Sequence, residues 1–140
     1  MPKFTRCIWG AVTTLALLAS TGCGHKSAEV HGRVTFRGKP LIYGTVTFAT
    51  KDASAAPMNA AIKSDGTYSF PAVPVGEMQV AVISPNPNIP IETKQGTVLV
   101  PTEADRTLWF PIPDRYSMIN TSEVQITVAP GPNTHDIELQ

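Results

Sequence analysis

Three histidines, one pair of carboxylates and a few aromatic residues are the side chains in this 140-residue sequence whose types and spacing could do chemistry. His25, His31 and His135 each lack a second ligand at metal-site spacing, and no His-Glu-x-x-His or Cys-x-x-Cys pair occurs. They read as solvated surface histidines. Glu103 and Asp105, in Pro101-Thr102-Glu103-Ala104-Asp105, could offer oxygens to calcium, but that ion takes about six to eight of them. Two are too few, so no metal is expected. Neither a Gly-x-Ser-x-Gly elbow nor a phosphate-cradling glycine loop is present, so the expectation is no catalytic residue and no cofactor. Trp109 lies out of phase with Leu108 and Phe110. If that pair faces a core, the indole faces outward, where it could stack on a sugar or meet a partner, although burial against the second sheet or a loop is the favoured reading. Tyr43 and Tyr116 are the residues that could join it. Tyr116, between Pro113 and Thr121-Ser122, also reads as a corner residue whose hydroxyl bonds to backbone.

The remaining reactive side chain is Cys23, and its surroundings give it a role. Lys3 and Arg6 precede a mostly apolar run from Ile8 to Leu18, and the small residues Ala19-Ser20-Thr21-Gly22 follow. Basic, apolar, then small is the order of an export signal. The apolar run is shorter than the ~20 residues that span a bilayer and contains Thr13 and Thr14. Ser20-Thr21-Gly22-Cys23 resembles the lipobox of bacterial lipoproteins, in which the cysteine is acylated and becomes the new N-terminus. The pattern departs at Ser20, where Leu is usual. Ordinary signal peptidase would cut the same bond and release a soluble protein, and an uncleaved anchor is the third reading. The expected organisation is a signal over 1–22, a lipidated cysteine with a short tether over 23–28, and one domain over 29–140. The expected location is the cell envelope, anchored to a membrane and facing the periplasm or exterior, with soluble secretion as the alternative. With Cys7 removed in the signal, Cys23 stays as a lone cysteine and an internal disulfide is excluded.

Past the signal the chain has nine basic and eleven acidic side chains. That near-neutral balance excludes the basic stripe nucleic acid requires. Thirteen prolines and ten glycines cluster between apolar runs, which favours short strands and many turns. Val30, Val34 and Phe36 alternate with His31, Arg33 and Thr35, the period of a half-buried strand, and Gly32 on the inner face implies close approach by another element. Arg37-Gly38-Lys39-Pro40 turns the chain into Thr45-Val46-Thr47-Phe48. Ser64-Asp65-Gly66 reads as a hairpin turn between Ala60–Lys63 and Thr67–Phe70. Met78, Val80 and Val82 form the apolar row of a central strand. Pro85, Pro87 and Pro90 make 84–96 a long loop. Further strands are expected at Thr97–Val100, Thr107–Phe110, Val124–Val128 and His135–Leu139, with Ala129–Asn133 closing a last hairpin. The fold class expected is all-β: a single antiparallel two-sheet β-sandwich of about seven to eight strands.

The residues Val30-His31-Gly32-Arg33-Val34, Gly38-Lys39-Pro40-Leu41, Thr45–Phe48, Asp65–Phe70 and Val75–Val80 together resemble the carboxypeptidase regulatory-like family, a transthyretin-like (prealbumin-like) β-sandwich. With Cys23-Gly24, Ile112–Tyr116 and Ile137–Leu139, the whole is similar to small lipoproteins of planctomycete bacteria. The resemblance implies a non-catalytic accessory module; the anchor, the sandwich and the lack of catalytic motifs add protein or envelope contacts, and Trp109 with the proline-rich loops gives a glycan- or small-ligand-binding module as the alternative. A transthyretin-like hydrolase is a weaker reading, because that family ends in Tyr-Arg-Gly-Ser and this sequence ends Ile137-Glu138-Leu139-Gln140. The sequence is silent on oligomeric state.

Overall fold

In the computed structural model, which describes residues 26–99 and 102–140, the alternating segments are strands. In chain order these are β1 (Ser27–Phe36), β2 (Lys39–Pro40), β3 (Gly44–Thr50), β4 (Met58–Ile62), β5 (Thr67–Pro74), β6 (Gly76–Ile83), β7 (Ile91–Thr93), β8 (Gly96–Val98), β9 (Val124–Val128), β10 (Asn133–Thr134) and β11 (Ile137–Leu139). Among the described residues the one α-helix, α1, covers only Ile119–Ser122. The protein is an all-β sandwich. One sheet is built on β1, which pairs antiparallel with β5 and β2 and parallel with β10 and β11. The other runs β4-β3-β6-β9, antiparallel throughout, with β6 inside it. β7 and β8 pair only with each other.

The inner rows of the two sheets make the core. Ala28, Val30 and Val34 of β1, Tyr68, Phe70 and Val73 of β5, and Ile137 and Leu139 of β11 face Val46 and Phe48 of β3, Met78, Val80 and Val82 of β6, and Val128 of β9. Burying each large side chain of this kind contributes about 1.5–3 kcal/mol. Phe48 is central: its ring stacks on Phe70 at 4.4 Å between centroids and meets Tyr68 edge-on at 5.9 Å. Gly32 interrupts the β1 row because a Cβ there would collide with the His135 backbone carbonyl. The Tyr68 hydroxyl donates to that same carbonyl at 2.6 Å, so a bare backbone position and a buried phenol jointly seat the last part of the chain against β1.

Four expectations change. First, the sandwich is not wholly antiparallel, because Ala129–Pro132 does not close a hairpin. It carries the chain from β9 in one sheet to β10 in the other, where β10 and β11 run parallel to β1. Pro130 and Pro132 have no N–H to give a hairpin ladder. The buried Asn133 amide takes over the bonding: its Oδ1 accepts from Ala129 N at 2.9 Å, and its Nδ2 donates to the carbonyls of Ala129 (2.8 Å) and Gly131 (2.7 Å). Second, the Ser64-Asp65-Gly66 turn forms, with Lys63 N donating to Thr67 O at 2.9 Å, yet β4 and β5 part into opposite sheets. Third, Thr107–Phe110 is not a strand. Asp105 Oδ1 accepts from Thr107 N and Oγ1, at 3.0 and 2.7 Å, and winds Arg106–Leu108 into a 3-10 turn. Fourth, the strands among the described residues number eleven rather than seven to eight, because several are two or three residues long. The loop expected over 84–96 contains β7 and the start of β8, and β8 ends at Val98, one residue short of Leu99 in the strand expected at Thr97–Val100. β1 begins at Ser27 with Ala28 in the core, slightly ahead of the expected domain start.

Candidate functional site

Strand directions separate two ends of the sandwich. Ser27 pairs with Pro74, and Gly76 pairs with Val128, so the residues that follow the tether sit with the start of β6 and the end of β9. β6 then runs eight residues to Ile83, which pairs with Thr45. At ~3.3 Å per residue that is about 25 Å of travel, which brings Ile83 to the opposite end. From there the chain leaves the sandwich and does not rejoin a sheet until β9.

This excursion is fastened at its base by polar contacts. Ser84 Oγ donates to Tyr43 O at 2.7 Å, and Trp109 Nε1 approaches both Ser84 Oγ (3.2 Å) and Ser84 O (3.3 Å). Two of the aromatic residues singled out in the sequence, Tyr43 and Trp109, thus meet through one serine. A Cβ at Gly44 would strike the Ile83 carbonyl, so the two backbones touch directly beneath this latch. The Arg106 guanidinium donates to Pro87 O, and Asn88 Nδ2 donates to Arg106 O at 3.2 Å, tying the outgoing and returning limbs together. The capping bonds from Thr107 hold the Asp105 carboxyl below the ordinary carboxylate range.

Beyond the base the excursion is exposed. Ile91 lies directly opposite Val98, and Glu92 opposite Thr97, so the β7–β8 hairpin has one apolar and one polar face. On the polar face Thr97 Oγ1 donates to Glu92 Oε1 at 2.7 Å. On the apolar face Ile91 and Val98 are 48% and 44% exposed. Ile83, Ile89, Leu99 and Leu108 are also exposed, which places six of the seven large exposed hydrophobic residues among the described ones within 83–108; the seventh is Met118. Isolated exposed aliphatics are ordinary; their concentration in one stretch of chain sets this segment apart. Leu108 and Phe110 do not face the same way. The 3-10 turn breaks the alternation, leaving Leu108 60% exposed while Phe110 stacks on Phe36 at 6.2 Å.

The other sequence candidates fall elsewhere. Trp109 is half-buried, with its N–H on Ser84. Tyr43 is half-buried beside an open cleft of about 370 Å³ that Lys63, Asp65 and Glu103 also line. Tyr116 is buried among the core residues. Its hydroxyl donates to Gln140 O at 2.6 Å and accepts from Gln140 N at 2.9 Å, the backbone-bonded corner arrangement. Ser84 therefore links the Trp109 indole to the Tyr43 backbone, whereas the Tyr116 hydroxyl is bonded to Gln140. His31 Nε2 lies 3.0 Å from Thr134 Oγ1 on the exposed face of β1, in an open cleft of about 390 Å³. Among the described residues no carboxylate bonds the second ring nitrogen, so this hydroxyl–imidazole pair lacks the third member of a relay. Glu103 and Asp105 join no group of three or more ligands suited to a metal ion among the described residues. Cys23 and the segment 1–22 expected to be an export signal lie outside the described residues. Among the described residues no helix is long and apolar enough to cross a membrane.

No protein-family model matches this chain, and no curated protein does. Among the solved structures similar to it are the following three. A DUF3823 family protein from Parabacteroides merdae superposes with a TM-score of 0.47 at 16% identity, over 82% of this chain and 46% of its own. A DUF3823 family protein from Bacteroides ovatus gives 0.44 at 14%, over 80% and 43%. The dioxygenase domain of a dioxygenase carbohydrate-binding protein fusion from Streptomyces sp. SirexAA-E gives 0.42 at 17%, over 86% and 84%. This chain thus spans less than half the length of either DUF3823 protein.

Proposed function

We propose that this protein is a non-catalytic accessory module, exported and lipid-anchored through Cys23 to a membrane of the cell envelope, that meets a protein partner with residues 83–108. The carrying observation is the concentration of exposed aliphatic side chains in that one excursion. The position of the excursion supports the reading. The chain enters β1 at one end of the sandwich, and the excursion departs from the other, about 25 Å along β6. A surface meant for lipid would sit beside the anchor. The sandwich itself we assign to the transthyretin-like, carboxypeptidase regulatory-like kind, on the landmarks from Val30 to Val80.

Two comparisons test this. Fatty-acid labelling of wild type against Cys23→Ser is expected to show label only in wild type, and equal labelling would remove the anchor. Affinity purification from the envelope is expected to recover a partner with wild type and lose it when Ile89, Ile91, Val98 and Leu99 are all changed to Ser. Equal recovery by both would place the contact elsewhere.

A further inference from the structure

Resting on that reading, we infer that the outer edge of β8 is a strand acceptor: an extended aliphatic segment of the partner adds to it as a third strand. The two edges of the hairpin differ. β7 follows Pro90 and carries Glu92, with Lys94 just beyond it; proline and charge are the devices that keep an edge strand from recruiting another chain. β8 has neither. From Gln95 through Gly96, Thr97 and Val98 to Leu99 there is no charge and no proline. Among the described residues β8 pairs with β7 alone, which leaves its outer row of backbone donors and acceptors open. Two three-residue strands make a marginal sheet, and a third strand is the addition that stabilises one.

The faces specify the incoming segment. Side chains beside Val98 would continue the apolar row of Ile91 and Val98, and those beside Thr97 would join the polar row of Glu92 and Thr97. The fitting segment therefore alternates aliphatic and uncharged polar residues, with backbone bonds giving affinity and the alternation giving selectivity. Area argues against a second copy of this chain. The exposed aliphatics of the hairpin offer on the order of a few hundred Å², below the ~800 Å² per partner that a stable dimer buries. That size suits a short peptide segment.

The test is photocrosslinking of the full-length anchored protein in its own envelope, with a benzophenone amino acid placed singly at Thr97, at Leu108 or at Gln125. Gln125 lies on β9, the open edge of the other sheet. The expected result is an adduct at Thr97, mapped by mass spectrometry to an alternating extended segment of another protein. A synthetic peptide of the mapped segment should then slow amide exchange at Gly96–Val98, and Thr97→Pro and Val98→Lys should each weaken its binding about tenfold or more. Val98→Lys restores edge charge without breaking the chain, so it guards against a misfolded proline variant. Adducts to the same protein at Leu108 but not Thr97 would overturn strand addition and leave the partner surface standing. Adducts to a second copy of this chain, or at Gln125 alone, would overturn strand addition and the reading of 83–108 with it.

Discussion

The sandwich body and the excursion over 83–110 are one chain held in two different ways. The body is closed by apolar burial: Val30, Val34, Val46, Phe48, Val73, Val80 and Leu139 are fully excluded from solvent. The excursion is closed by polar latches at its base, and its aliphatic residues face outward. In an ordinary domain the aliphatics would be inside and the polar contacts at the rim. The inversion teaches that the excursion is presented by the sandwich rather than folded into its core, Ala104 and the Phe110 ring being its points of burial against the body. Regions with few buried apolar contacts and exposed backbone bonds open locally, well below the energy of global unfolding. The two regions should therefore respond to mutation on different scales.

The largest separation comes from Phe48→Ala. Its ring contacts both Phe70 and Tyr68, and its removal leaves a cavity between the sheets. The expected loss is about 3–5 kcal/mol in denaturant unfolding. A loss under ~1 kcal/mol would mean that the sheets are not locked at this point.

Tyr68→Phe is a smaller cut into the same body, with a pH signature. It removes the bond to the His135 carbonyl and leaves a buried acceptor unpaired, at a cost of about 1–2 kcal/mol near neutrality. Burial, with the Asp136 charge as a secondary cause, pushes the Tyr68 phenol above the usual tyrosine range. Above pH ~10 an unfolded tyrosine ionises while the folded one stays neutral, so the unfolded state binds fewer protons and is favoured. Stability that is complete below pH ~10 is then lost as pH rises, by up to ~1.4 kcal/mol per unit. The advantage of wild type over Tyr68→Phe should shrink across that range in parallel unfolding curves. A constant difference to pH 12 would show that the phenol is accessible in the native state.

The same contrast explains what could be read in advance. β1, β3 and β6 were legible because Val30/Val34, Val46/Phe48 and Met78/Val80/Val82 alternate over enough residues to fix both strand and face. Gly32 was legible as a close approach, though not its partner, His135, roughly a hundred residues on. Local pattern says where a chain turns and which face is apolar, but not which sheet the next strand enters. Asp65-Gly66 made its turn, with Asp65 Oδ1 on Thr67 N and Oγ1, and the following strand crossed to the opposite sheet. The parallel return of β10 and β11 was hidden for the same reason. In the excursion, Asp105 offered a local bond that outweighed the alternation of Thr107–Phe110. The exposed aliphatics had a faint signal: Ile91-Glu92-Thr93 and Gly96-Thr97-Val98 flank a two-residue turn at Lys94-Gln95, a hairpin too short to belong to either sheet.

Trp109→Phe tests the latch. It keeps an aromatic ring and deletes the indole N–H that reaches Ser84. The expected change is about 1 kcal/mol, the worth of one such bond, and it should be confined to the excursion. Amide exchange in 84–109 should speed severalfold, while β1, β3 and β6 keep their protection. Uniform acceleration through the sandwich would show that excursion and body unfold as one unit and would erase the distinction between them.

The smallest expected effect on stability is the most telling about role. Ile91→Ser and Val98→Ser remove aliphatic groups that are already about half exposed and lie outside the core cluster of the sandwich. Because little apolar surface returns to water, each should change unfolding free energy by no more than about 0.5 kcal/mol, the range of ordinary surface substitutions. The same swap at Val80 or Val46 would empty a site in the core. Partner retention should move the other way: strongly reduced by Val98→Ser, and unaffected by an equally exposed substitution on the tether side such as Ala72→Ser. A hydrophobic residue whose loss costs the fold nothing and the complex a great deal is the expected behaviour of an interface side chain. If Val98→Ser instead lowered stability by more than ~2 kcal/mol with binding intact, Val98 would be core that the sandwich needs, and the division between body and excursion would have to be redrawn at β8.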